Sequence, residues 1–419
     1  MKFMGYHRPD GRVGIRNHIA IIPSVFCANN VVEQIARKVH GTVPLRHPVG
    51  CAQVGYDLEL TARTLKAMAT HPNVAAVLII GLGCERFKPG ELYEAVKNSG
   101  KPVEMLIIQE EGGSTKTINK GIKIATRLTK QERGRMRVPC DISELTIAVK
   151  CGGTDATSGL AANPVVGSMS DLLNQNGGST ILSELNELIG TEDMLAARAV
   201  NKEVADKIYN AIYGIEDKLL GGCDERYFGR NELISPGNYD GGVSNIVEKA
   251  LGGVYKGGTA PVVDVLEYAM PAPPEQKGLF LMNYESHDGE VVTGMIGCGA
   301  QLVAFTSGRG NPAGFPIAPV IKLTGNSMML KKMRENFDFS AGEIISGEAT
   351  IDEKGKELFE LALSVANGQL TSAETLNGYE LFCVARALGI QVPANCTKCA
   401  KNDSASTSEV VSEDLVAKI

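Results

Sequence analysis

Short apolar runs alternate with stretches of helical apolar spacing along the first third of the chain. Asn17 to Val25, Gly41 to Leu45, Val74 to Ile80 and Val103 to Ile108 read as buried strands. Asn29 to Val39, Tyr56 to Thr70, Gly90 to Lys97 and Ser114 to Gln131 read as the helices between them. A second alternation begins at Leu145 to Val149. It continues through a helix ending near Asn174, a strand Ser179 to Leu182 and a long helical stretch Glu192 to Leu219. Short strands recur at Pro261 to Val265, Gly278 to Met282, Leu302 to Phe305 and Ile317 to Ile321, with a helix at Ser244 to Leu251 and mostly helix after Asn326. Such alternation predicts an α/β protein, a doubly wound and mostly parallel sheet repeated in two α/β units with a helical C-terminal region. Functional loops are then expected at the carboxyl ends of the strands. The divisions are 1–140 for the first α/β domain, 141–390 for the second with its helical part, and 391–419 for a polar, poorly packed tail; the Gly-, Asn- and Pro-rich segment 221–242 reads as a loop.

Composition removes several classes of function. Of 419 residues, 43% are hydrophobic and 21% charged, enough for a buried core in each unit. The N-terminus carries no apolar signal segment, and the longest apolar stretch, Val74 to Gly83, is too short for a bilayer, so a cytoplasmic protein is expected. A net charge of -6 without a Lys/Arg run gives no footprint for nucleic acid. The ten cysteines are too sparse for a disulfide scaffold and, in a cytoplasmic chain, are available as thiols.

Four of those cysteines occupy equivalent places. Cys27 in IIPSVFCAN, Cys51 in HPVGC, Cys84 in IIGLGCE and Cys151 in AVKCGGTD each follow an apolar run and meet a turn. Carboxyl ends of neighbouring parallel strands converge, so thiolates there suit iron or zinc; a small buried hydrophobe at a strand end is the plainer account of each one. His47 lies four residues before Cys51, while Glu85, Glu110 and Glu111 stand at two further strand ends as metal-binding or basic carboxylates. QEEGGSTKT places Gly112 and Gly113 before a helix, a seat for a substrate carboxylate; without Walker spacing it is a weak nucleotide loop. KCGGTDATSGLAANP gathers Lys150, Thr154, Asp155, Ser158 and Asn163, the makings of a pocket for a polyhydroxylated ligand, and Arg12 and Arg16 can clamp a carboxylate. SPGNYDGGVSNIVEKALG and FTSGRGNPAG are further glycine-rich loops, the first carrying Lys249, the second Arg309. Cys396 and Cys399 form an isolated CxxC in the tail.

GYHRPDGRVGIRN, CAN, HPVGC, GLGCE, QEEGGSTKT, KCGGTDATSGLAANP, SPGN with NIVEKALG, and FTSGRG together resemble the altronate and galactarate dehydratase family, which also includes the large subunit of sulfolactate sulfo-lyase. The likeness runs in order from about Gly5 to Gly347. It implies a hydro-lyase that dehydrates a sugar acid to a 2-keto-3-deoxy acid with iron, as a ferrous ion or an iron-sulfur cluster, and it implies an oligomer. Single-chain members carry a small SAF-type domain before these motifs; here the first motif begins at Gly5, which implies a separate small subunit. On this resemblance Cys27, Cys51 and Cys84, with Cys151 nearby, are expected to hold iron, the alternative being one ferrous ion held by His47, carboxylates and a thiolate. Lys150 or His47 is the expected base, with Glu110 as another catalytic carboxylate, and Arg12, Arg16 and Asn163 orient the substrate. A non-catalytic sugar-acid-binding subunit and a nucleotide-dependent transferase are the competing classes.

Overall fold

The computed structural model describes residues 1–220 and 229–387; the tail with Cys396 and Cys399, and part of the expected 221–242 loop, lie outside these. In chain order the strands are β1 (Lys2–His7), β2 (Val13–Gly14), β3 (His18–Pro23), β4 (Thr42–Pro44), β5 (Val74–Gly81), β6 (Val103–Ile107), β7 (Val138–Asp141) and β8 (Thr146–Cys151). They continue as β9 (Ser179–Leu182), β10 (Val262–Glu267), β11 (Leu279–Asn283), β12 (Leu302–Thr306), β13 (Val320–Thr324) and β14 (Phe339–Ser340).

Two wholly parallel sheets result, in orders β4-β3-β5-β6 and β10-β11-β9-β8-β12-β13-β14. Every residue of β5, VAAVLIIG, is buried, as a parallel strand covered on both faces requires. Helices Asn29–Ala36 and Ser114–Glu132 cover the face bearing Ile19, Ile21, Leu78 and Ile80. Helices Gly55–Thr70 and Pro89–Asn98 cover the face bearing Ile22, Val77 and Ile79. In the second sheet Ile147, Val149, Leu182 and Ile321 pack under helices Asn163–Gln175, Lys202–Leu220 and Ile351–Ala366. Its opposite face joins Ala148, Phe280, Val303 and Phe305 to helix Asp288–Gly297 in the same apolar core as Ile22 and Val77, so one core runs between the two sheets. Asn73 closes that seam: its Oδ1 accepts from Ile15 N at 2.9 Å and its Nδ2 donates to the carbonyls of Gln301 and Ile317 at 2.9 Å each.

Several elements differ from the sequence expectation. A small antiparallel sheet, β2-β1-β7, joins the N-terminus to the link between the parallel sheets. The stretch Glu192 to Leu219 is two helices, Glu192–Ala196 and Lys202–Leu220, because Val200 N turns to Val262 O (3.1 Å) and Asn201 Oδ1 caps a new helix at Val204 N (2.9 Å). Helix Asp288–Gly297 escapes the apolar pattern because glycine is a poor helix former. A Cβ on Gly294 would meet the Tyr268 ring at 2.4 Å, so close packing requires it.

Candidate functional site

The carboxyl edge of the second sheet holds a dense group of buried charges. β8 ends at Lys150 and Cys151. β9 leads through Ser183 to Glu184, a non-glycine residue in the left-handed region (φ 70°), and a turn that places Glu187. Helix Ile246–Val254, capped by Asn245 Oδ1 on Glu248 N (2.9 Å), carries Lys249, and the next turn carries Lys256. Lys150, Glu184 and Lys256 have fully buried side chains. Lys150 Nζ pairs with Glu184 Oε1 at 3.4 Å and with Asp288, and donates to Cys151 O at 2.6 Å. Lys256 pairs with Glu184 and donates to Cys151 Sγ at 2.7 Å; Lys249 meets Glu187 at 3.0 Å; and the Cys151 thiol donates to Glu187 Oε2 at 3.0 Å. Ser286 Oγ donates to Glu187 Oε1 at 2.8 Å.

Each group answers to its neighbours. Burial, reinforced by Glu184 and Glu187, pushes the Cys151 thiol well above its ordinary pKa. Burial would raise the Glu187 carboxyl, but Lys249, Lys256 and Lys150 outweigh it and hold it down to about 2. Burial likewise works against the Lys150 and Lys256 ammonium groups. Glu184 and Asp288 around Lys150, and Cys151 and Glu184 around Lys256, raise both above the usual lysine value. Lys322, fully buried in β13, differs. Its ammonium meets Asn311 Oδ1 at 3.4 Å and the Phe305 ring, 3.7 Å from the centroid, and no carboxylate within ion-pair distance among the described residues. Burial and then Lys150 bring it down to about 7.

The loop after β8 is fixed against that after β12. Gly308 N and Arg309 N donate to Gly153 O at 3.0 and 3.1 Å, and a Cβ on Gly308 would lie 2.1 Å from the Asp155 carboxylate. Asp155 Oδ1 accepts from Thr157 Oγ1 (2.6 Å) and Ser158 N (3.1 Å), and its Oδ2 from Asn326 Nδ2 (2.9 Å). Asn163 Oδ1 accepts from Thr306 Oγ1 at 2.7 Å. The expected Lys150, Asp155, Ser158 and Asn163 are therefore brought to one sheet edge.

The carboxyl edge of the first sheet gathers Cys27, Cys51 and Cys84, all exposed, on three loops joined through their backbones. Phe26 N donates to Val49 O at 2.9 Å, and Arg86 N to Gly50 O at 3.1 Å. Buried Glu85 accepts from Ser24 Oγ (2.6 Å), Leu82 N (3.0 Å) and Gly83 N (2.5 Å); burial would raise its carboxyl, but these donors lower it. His47 is buried, with Nε2 donating to Pro23 O at 2.7 Å and Nδ1 accepting from Val49 N at 3.4 Å; burial brings it down to about 4, so it is neutral and holds the loop rather than a proton in transit. Gln109 N binds Leu82 O (3.1 Å), which sets the Glu110–Gly113 turn beside the Cys84 loop, with Glu110 and Gly112 exposed and Gly113 opening helix Ser114–Glu132. Cys151 stands apart from this trio, on the other sheet.

Both arginines expected to clamp a substrate are engaged elsewhere. Arg16 directs its donors to Glu374 (2.6 and 2.8 Å) and to the carbonyls of Ile15, Val365 and Gln369 (2.9 Å each), tying the N-terminal segment to the C-terminal helices. Arg12 binds Asp10 and Thr70 O. Glu184, Glu187, Lys256, Asp288 and Lys322 were missed by the sequence reading. Glu184 lies two residues beyond the expected strand Ser179 to Leu182, at a strand end like those of the cysteines. Lys322 lies beyond the apolar run that ends at Ile321, in the part of β13 that continues to Thr324.

The two edges offer different donor sets. Cys151, Glu184 and Glu187 bring ligand atoms within 4.8 Å of one another, a spacing that could hold a metal. Lys256 and Lys249 already pair with that set, Lys256 with Cys151 Sγ and Glu184 and Lys249 with Glu187. The thiols of Cys27, Cys51 and Cys84 are exposed on loops joined through their backbones, and among the described residues Cys151, Glu184 and Glu187, not these three, form the group with ligand atoms within 4.8 Å. No helix among the described residues is long and apolar enough to cross a membrane.

Comparison with known proteins covers both halves. Residues 5–132 match the family described as D-galactarate dehydratase/altronate hydrolase, second domain, and residues 142–388 match D-galactarate/altronate dehydratase, C-terminal. The chain is 38% identical to the (2R)-sulfolactate sulfo-lyase subunit beta of Chromohalobacter salexigens, over 92% of this chain and 97% of that protein. It is 33% identical to an altronate dehydratase of Bacillus subtilis (90% and 76%) and 34% identical to the L-threo-forming galactarate dehydratase of Escherichia coli (88% and 73%).

Proposed function

The chain belongs to the D-galactarate/altronate dehydratase family and is a lyase, and from that premise we propose that it removes water from an altronate-like aldonate to give a 2-keto-3-deoxy acid, using iron. The observation that carries this reading is the buried row of lysines at the carboxyl edge of the second sheet. The proton on carbon 2 of a hydroxy acid is weakly acidic, and its removal loads charge onto the carboxylate, which a buried ammonium group stabilises far better than water does. Lys150, held as ammonium, faces that charge; Asp155, Ser158 and Asn163 order the loop that receives the hydroxyl groups. Cys27, Cys51 and Cys84 would hold iron, which when bound supplies Lewis-acid polarisation of substrate oxygens.

The reading includes a cytoplasmic location and a small SAF-type subunit as a separate chain in an oligomer, supported by the relative named as a subunit beta. A second reading, release of sulfite from sulfolactate, is favoured by the 38% identity over nearly the whole of that subunit. Both reactions remove a proton from carbon 2 and a leaving group from carbon 3.

The test is anaerobic purification with iron and sulfide analysis, followed by incubation with altronate, galactarate and sulfolactate, alone and with the small subunit. A 2-keto product from a sugar acid supports dehydration; sulfite release from sulfolactate selects the second reading; no product from any acid overturns both. Cys51→Ser should lose its iron and its turnover, and a variant retaining both would remove the thiolate site.

A further inference from the structure

Three adjacent strands of the second sheet place Lys150, Phe305 and Lys322 in one row, since Lys150 pairs in register with Phe305 and Phe305 with Lys322. The two ammonium nitrogens lie over the same ring, 4.6 and 3.7 Å from its centroid. A hydrogen-bonded chain also connects them around the ring: Lys150 donates to Asp288 Oδ1, Asn311 Nδ2 donates to Asp288 Oδ2 (3.1 Å), and Lys322 donates to Asn311 Oδ1 (3.4 Å). Asp288, its side chain 43% exposed at the start of helix Asp288–Gly297, is the open end of this chain. Two lysines in matched positions thus receive opposite treatment. Lys150 has two carboxylates; Lys322 has an amide oxygen and a ring. A buried lysine without a counterion is a liability to folding that a methionine would avoid, so its place here calls for a chemical reason.

We propose that Lys322 is the catalytic base, its neutral amine taking the proton from carbon 2 of the substrate while Lys150 remains ammonium beside it. The inference rests on the elimination reading given above. The carbon 2–hydrogen bond breaks toward the Lys322 amine, and its electron pair moves into the carboxylate as an enediolate facing Lys150. As the pair returns to form the carbon 2–carbon 3 double bond, the carbon 3–oxygen bond breaks, and the Lys322 ammonium gives its proton to the departing hydroxyl, which leaves as water. The enol then becomes the 2-keto acid, and the protein ends in its starting protonation state. Besides Lys150, the charged groups around Lys322 are Asp288, Asp338 and Glu380, whose carboxylates act against the lowering by burial and Lys150. Pairs of groups pushed apart in this way are what acid–base chemistry near neutrality needs.

Three measurements test the assignment. In the wild-type protein, the pH dependence of acetic anhydride labelling at Lys322, read by mass spectrometry, should follow a group titrating near 7, and a midpoint at the ordinary lysine value of 10.5 overturns the proposal without any substrate. Lys322→Gln and Lys322→Arg should lose about 10³-fold in kcat and lose wash-out of deuterium from carbon 2, with iron content and melting temperature retained. Ethylamine should restore turnover to Lys322→Ala, in proportion to the free amine. Turnover of Lys322→Gln within tenfold of wild type, or no rescue of folded, iron-loaded Lys322→Ala, overturns it. If the wild-type protein consumes none of the acids, the lyase reading fails, while the labelling still decides the state of Lys322.

Discussion

The two sheets end alike in topology and oppositely in chemistry. At the edge of the first, Cys27, Cys51 and Cys84 are exposed, and the polar groups around them, Glu85 and His47, are held by their own and neighbouring loops. At the edge of the second, Glu184, Glu187, Lys150 and Lys256 are buried and satisfy one another. One edge carries exposed thiols on loops braced by backbone hydrogen bonds; the other is itself a charge network. The same fold can therefore present a reactive group in two ways: by freeing it on a braced loop, or by enclosing it so that neighbours dictate its protonation. Stability should depend on the second edge far more than on the first.

The largest effect that would break this contrast is on folding. Glu184→Ala removes the carboxylate shared by Lys150 and Lys256 and leaves two buried ammonium groups short of a partner, at a cost of about 3–5 kcal/mol. Cys84→Ser, at an exposed thiol, should change unfolding free energy by less than about 0.5 kcal/mol. Urea unfolding of both apoproteins measures the difference, and equal losses would erase the contrast.

A smaller effect is its dependence on pH. The folded-state pKa of Glu187 is depressed to about 2, so its contribution is fully present above the ordinary carboxylate range near 4.5 and is lost as pH falls toward 2. Lys249→Met removes one of the cations responsible and should flatten this part of the profile. A Lys249→Met protein with the wild-type acid slope between pH 4.5 and 2 would show that Lys249 does not set it.

Which parts were legible beforehand follows the same division. The first sheet could be read nearly residue by residue because its strands are continuous apolar runs between amphipathic helices, and its cysteines could be grouped because topology alone brings strand ends together. The charge network was hidden, since a lysine such as Lys322 inside a strand contradicts the apolar pattern, and since Glu184, Lys256 and Asp288 meet only through tertiary packing. Arg16 misled for the opposite reason: a guanidinium near a glycine-rich turn signals a carboxylate, and the carboxylate it binds is Glu374, 358 positions away. Residue type announced the chemistry, but not whether the partner was substrate or protein.

The smallest effect probes how the two kinds of edge differ at a single residue. His47 is buried like Lys150, yet it belongs to the exposed-thiol edge, where its ring links Pro23 O to Val49 N just ahead of Cys51. Its pKa is lowered from 6.5 to about 4 by burial, so between those values the unfolded chain binds a proton that the folded loop refuses, and the loop loses stability as pH falls from 6.5 toward 4. His47→Phe keeps the ring and removes both hydrogen bonds, at about 1–2 kcal/mol, and it also removes the titration. Iron retention by the wild-type protein should therefore fall faster below pH 6.5 than retention by His47→Phe, even though the variant holds iron less well at pH 7.5. Parallel retention curves would mean that protons act on the thiolates alone and that His47 has no part in bracing the Cys51 loop.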